Sequence, residues 1–175
     1  MKNHQQTATE AYRVAVDELS TILTFTNGTS MNTTSFLRPS SQGTETIVDR
    51  LNDPNMSFVA FRGEQGVSLV QVDFIAAVRV PGRSPEVAFY ESVGAVRFRA
   101  GVRLASGKRL IGDLIGMLPP DRSRLSDLLN GATERFLLMV GDGCTYYLNR
   151  KAIQQVEPLA EISAVSRPEG IRMAS

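Results

Sequence analysis

A chain of 175 residues, 42% hydrophobic and 21% charged, is long enough to bury one medium core or two small ones. Its 19 basic and 18 acidic residues leave a net charge of +1, which excludes the strong positive field of a dedicated nucleic-acid binder. The single cysteine, Cys144, excludes an intrachain disulfide and a cysteine-built metal cage.

The halves differ in charge. Residues 1–80 hold 6 basic and 8 acidic side chains, while residues 81–175 hold 13 and 10, so only the second half attracts an anion. No apolar run approaches the roughly 18–20 residues that cross a bilayer, and the polar start of the chain lacks the apolar core of a signal peptide. With one free cysteine besides, the expectation is a cytoplasmic protein without a membrane segment. Asn27-Gly28-Thr29 and Asn32-Thr33-Thr34 match the glycosylation sequon, but without a leader they read as turn and strand residues.

In chain order, residues 1–10 are polar and unpatterned and read as a flexible tail. Val14 to Phe25 is apolar and β-branched and predicts a strand, or a short helix leading into one. Asn27-Gly28 makes a tight turn, since both residues tolerate positive φ, and a strand through Met31–Leu37 follows. Ile47, Val48 and Leu51 fall at helical spacing, with Thr44 as N-cap and Pro54 beyond the end, which predicts a two-turn helix. Phe58–Phe61, the turn Gly63–Gly66, Val67–Val72 and Asp73–Val80 then read as strand, turn, strand and strand.

Pro81, Gly82, Ser84 and Pro85 mark residues 81–92 as a linker. After it the order returns. Val96–Leu104 alternates as a strand, Ser106-Gly107 turns the chain, and Leu110–Met117 runs back until Pro119-Pro120. Leu125, Leu128 and Leu129 mark a short helix closed by Asn130-Gly131. Phe136–Val140, Gly141-Asp142-Gly143 and Thr145–Leu148 form strand, turn and strand, and residues 159–175 read as a second flexible tail.

A shift of 78 residues places Asp49 on Asp127, Leu51 on Leu129, Asn52 on Asn130, Phe58 on Phe136, Gly63 on Gly141, Ile75 on Ile153 and Val78 on Val156 without a gap. With the common element order, this predicts two copies of one β-β-helix-β-β-β unit, residues 11–80 and 93–158.

Gly107-x4-Gly112-x-Leu114, Phe136 through Ile153, and Arg150-Lys151-Ala152-Ile153 followed by Val156 and Pro158 make the second copy similar to the Sm-like family, and in particular to bacterial Hfq. The resemblance covers about a third of the chain. It implies a mainly β fold of two tandem small SH3-type barrels, each with one short helix. It also implies assembly through sheet edges, fourth strand to fifth, and RNA as a second candidate partner. The chain departs from the family in inserting Pro119–Arg135 after the second strand and in placing Lys151 where Hfq has a histidine. In the first copy, Val72-Asp73 stands at the position of Arg150-Lys151.

Candidate chemistry is sparse. The only histidine, His4, lies in the first tail, so no histidine-based acid–base site can be assembled. Cys144 heads an apolar strand and reads as a small buried hydrophobe, Gly141-Asp142-Gly143 as a hairpin turn, and Asp49 and Asp127 as helix caps or surface groups. No enzyme, metal or cofactor is expected. The sharper feature is basic: alternation puts Arg97, Arg99 and Arg103 on one face of a strand, with Lys108 and Arg109 just past the turn. These five, with Arg150 and Lys151, are the candidate anion or nucleic-acid site, unless carboxylates such as Glu18 neutralise them. Arg99-x3-Arg103 with Asp121-x-Ser123 is also similar to the cyclic-dinucleotide motif of PilZ barrels, although Ser126 stands where that motif has glycine.

Two functions follow as expectations. The first is a non-catalytic, homo-oligomerising adaptor in which Val67–Val72 pairs with Ala152–Val156 inside one chain, leaving the other edges for another chain. The second is an Hfq-like RNA binder. A single continuous sheet, or halves that do not superpose, would take the footing from both.

Overall fold

A computed structural model describes residues 16–40, 43–122 and 124–159. Readings that fall on residues 1–15, Ser123 and residues 160–175, and on the side chain of Thr44, lie outside the described residues. The fold is mainly β. Its strands are β1 (Asp17–Phe25), β2 (Ser30–Leu37), the short pair β3 (Pro39–Ser40) and β4 (Gly43–Thr44), β5 (Phe58–Gly63), β6 (Gly66–Gln71), β7 (Ile75–Pro81), β8 (Val96–Leu104), β9 (Arg109–Gly116), β10 (Phe136–Gly141), β11 (Cys144–Asn149) and β12 (Ile153–Pro158). Among the described residues three helices interrupt them: α1 (Ile47–Asn52), α2 (Pro85–Ser92) and α3 (Leu125–Gly131). One-turn 3₁₀ segments at Val72–Phe74 and Arg150–Ala152 lead into β7 and β12.

Ten strands form one continuous antiparallel sheet, ordered β12-β8-β9-β10-β11-β7-β1-β2-β5-β6, which does not close on itself. Continuity is the outcome that undercuts both functional expectations as first stated, because they were built on two separate barrels. Its cause is a junction in which β7 pairs with β11, in the register Tyr147↔Val78 and Thr145↔Val80. Within the sheet, the halves run β7-β1-β2-β5-β6 and β12-β8-β9-β10-β11, so each half sets its last long strand beside its first. Both last strands slip register by one residue at matching places, opposite Thr24/Phe25 in β7 and between Ile153 and Gln155 in β12.

The junction corrects the strand pairing inferred above. Val67–Val72 does not meet the β12 strand; instead β7 of the first half meets β11 of the second, and β6 and β12 are the sheet's outer edges. Within residues 81–92, Pro85–Ser92 form α2. Pro85 stands at its first position, where a missing N–H costs nothing. In α1 the N-cap is Thr46, not Thr44: its hydroxyl receives the Asp49 N–H at 3.2 Å, and Asp49 Oδ2 accepts the Thr46 N–H at 3.0 Å. At α3 only the second of these bonds forms, Asp127 accepting the Arg124 N–H at 3.1 Å, because an arginine side chain offers no acceptor.

The core explains why the halves do not stand apart. One apolar cluster joins Leu23, Ile47, Leu51, Val59, Phe61, Val72, Ile75 and Val78 of the first half to Ile115, Phe136, Leu138 and Tyr147 of the second. A second cluster holds Val102, Leu104, Leu114, Leu128, Leu137, Met139 and Leu148, with Ala76 and Ala77 reaching in from β7. Strand β10 is therefore buried on both faces, which is why Phe136-Leu137-Leu138-Met139-Val140 is an unbroken apolar run rather than an alternating one. Gly112 permits the close approach of β9 to β10, since a Cβ there would strike the Val140 carbonyl.

Candidate functional site

The basic hairpin forms as its alternation predicts, with β8 and β9 paired through Arg99↔Asp113 and Arg103↔Arg109. Its charges are spent locally. Arg97 pairs with Glu91 of α2 and lies 3.6 Å from Asp113; Arg99 lies 3.3 Å from the same Asp113, and Arg109 lies 2.9 Å from Glu157. Lys108 donates to Thr24 Oγ1 at 3.4 Å. Only Arg103 of the five lacks an ion pair or side-chain hydrogen bond among the described residues. Glu18, offered above as a counter-charge for the stripe, pairs instead with Arg62 at 2.7 Å.

Arg150 and Lys151 are not brought together with the stripe. The Arg150 guanidinium points into the end of α3, donating to the carbonyls of Ala132, Leu129 (3.3 Å) and Glu134 (3.4 Å). It satisfies acceptors that the end of a short helix leaves open. Lys151 lies 3.7 Å from Asp73, the residue at its own position in the first half. Of the cyclic-dinucleotide pattern, Arg99 is held by Asp113 and Ser123 lies outside the described residues.

Cys144 is buried, and its thiol donates to Gly141 O. The neighbouring tyrosines alternate: Tyr147 is fully buried with its hydroxyl donating to Glu86 of α2 at 2.9 Å, whereas Tyr146 is partly exposed. Burial is the main cause that pushes the Tyr146 phenol up to about 12, and burial likewise raises Tyr147 and Tyr90 above their usual value. A cleft of about 490 Å³ between the three helices and β9–β10 carries Asp49, Glu86, Asp127 and Glu134 on its walls. Three of these four are committed, Asp49 and Asp127 to helix caps and Glu86 to Tyr147.

What the sequence reading missed lies at the two sheet edges. In the internal junction, Phe136 and Tyr147 of the second half are buried against α1, α2 and β7 of the first. Asn52 at the end of α1 accepts the Phe136 N–H at 2.7 Å, a clasp between the halves. On the outer β5–β6 pair the corresponding Phe58 and Leu69 are bare, 53% and 71% exposed, and Val67 beside them on β6 is 61% exposed. At the opposite edge, a groove of about 770 Å³ runs along β12, lined by Leu129, Leu137, Ile153 and Val156 with Arg135 and Arg150. The available signal in the sequence is the 78-residue match of Asn52 with Asn130 and of Phe58 with Phe136.

The class defined so far is a mainly β protein with one open, ten-stranded antiparallel sheet and, among the described residues, no helix long and apolar enough to cross a membrane. No family model, curated protein or solved structure matches the chain.

Proposed function

We propose that this protein is a non-catalytic assembly module that associates with copies of itself through the edges of its sheet. The observation that carries this reading is the β6 edge. A strand whose outer side has no partner among the described residues, carrying Val67 and Leu69 at more than half exposure, invites pairing unless something covers it. The reading also rests on the common strand order of the halves, which suggests two worn Sm-like units fused at one edge.

RNA binding draws less support. Arg150 is engaged with helix carbonyls, Lys151 with Asp73, and most of the β8–β9 cations with carboxylates. Sedimentation at micromolar concentration tests the main reading, with a mass above one chain expected. The V67K/L69K double variant, at exposed positions, is expected to return it to one chain. A wild-type mass of one chain across that range would refute self-association, and tight RNA binding that falls steeply with salt would favour the alternative.

A further inference from the structure

We infer that copies associate head to tail, the β6 edge of one chain entering the β12 groove of the next in the register of the internal β7·β11 junction. This rests on the self-association proposed above and specifies its interface.

The backbone of the two edges is matched. Val72 N donates to Ser57 O at 2.9 Å, which turns Ser68 and Val70 towards β5 and leaves the N–H and C=O of Val67 and Leu69 on the free side. Leu159 N donates to Arg99 O at 2.9 Å, which turns Gln155 and Glu157 towards β8 and leaves Val156 and Pro158 facing out. Transposing the internal pairs Tyr147↔Val78 and Thr145↔Val80 by 78 residues gives Leu69↔Val156 and Val67↔Pro158. These are the outward-facing residues of each edge. Pro158 has no N–H, so its pair supplies one hydrogen bond instead of two, and it opposes a two-fold pairing of β12 with itself.

The side chains are matched as well. Within the chain, Phe136 and Tyr147 fill a site that includes Leu51, Val59, Ile75 and Val78. Their counterparts in the β12 groove are Leu129, Leu137, Ile153 and Val156, and the counterparts of the knobs are the exposed Phe58 and Leu69. Asn130, exposed and without a side-chain hydrogen bond among the described residues, stands where Asn52 clasps Phe136, and would accept the Phe58 N–H of the next copy. Each chain offers one knob row and one groove, so the association is heterologous and continues past two copies.

Cross-linking tests the register. Ser68 and Glu157 would face each other as a non-hydrogen-bonded pair, about 4.5 Å between Cα atoms, within disulfide range. A mixture of S68C chains and E157C chains is expected to give the mixed disulfide under mild oxidation, with neither variant cross-linking alone and the wild type, whose Cys144 is buried, giving none. An S68C chain that cross-links to itself, or a mixture that sediments above one chain yet forms no mixed disulfide, would overturn the head-to-tail arrangement while leaving self-association standing. A mass of one chain throughout would remove both. Asn130→Ala is expected to raise the dissociation constant roughly five- to tenfold, the equivalent of one hydrogen bond.

Discussion

Arg150 shows how one side chain changes meaning between sequence and fold. As part of Arg150-Lys151 it reads as a phosphate ligand; in the fold its guanidinium closes the carbonyl end of α3. Arg150→Ala is therefore expected to lower stability by about 1–3 kcal/mol, the cost of leaving such acceptors unpaired, as measured by urea denaturation. Arg150→Lys should recover little of it, because an ammonium cannot reach several carbonyls as a planar fork does. The tyrosines give a second prediction at this scale. A phenol with a folded-state pKa above its unfolded value of about 10 holds its proton more tightly in the folded chain. Its contribution is complete below that unfolded value and is lost as pH rises through about 12, the value for Tyr146. Tyrosinate absorbance should thus lag behind that of free tyrosine, and unfolding should begin in the same alkaline window. A titration that follows free tyrosine would contradict the buried phenols.

At the scale of elements, α1 and α3 occupy matching places but have different neighbours. Asn52 at the end of α1 holds the start of β10, whereas Asn130 at the end of α3 makes no side-chain hydrogen bond among the described residues. Asn52→Ala should cost about 1–2 kcal/mol in thermal or urea unfolding, while Asn130→Ala should stay within about 0.5 kcal/mol, since exposed positions away from such contacts change stability little. The sharp approach of β9 to β10 is a second element-level constraint. Gly112→Ala would press a methyl against the Val140 carbonyl, and an overpacking cost of about 1–3 kcal/mol is expected in the same measurement. By contrast, removing Asp113 should alter stability by under about 1 kcal/mol, because its pairs with Arg97 and Arg99 lie at a partly solvated surface.

Over the whole molecule, the sheet gains its continuity at a cost in independence. The first cluster takes side chains from α1, α2 and β7 and from β9, β10 and β11, so neither half buries its apolar residues alone. Residues 11–80 expressed by themselves would expose the site filled by Phe136, Leu138 and Tyr147, and are expected to lose cooperative unfolding as followed by near-ultraviolet circular dichroism. The same arrangement leaves β6 and β12, six residues each, with outer sides unpaired among the described residues. The self-association proposed above would repeat that junction between chains.

Strands, helices and turns were largely legible in the residues, because alternation, turn glycines and capping groups act over a few positions. Asn27-Gly28, the Val96–Leu104 alternation and the Leu-Asn helix ends all form where their local chemistry places them. Tertiary structure alone decided which edges meet, because either pairing of fourth and fifth strands satisfies the same backbone groups. The choice fell to packing: Phe136 and Tyr147 enter the α1–β7 site, while Phe58 and Leu69 stay outside. The fate of the arginines was settled in the same way, by carboxylates and helix carbonyls brought near only when distant segments came together.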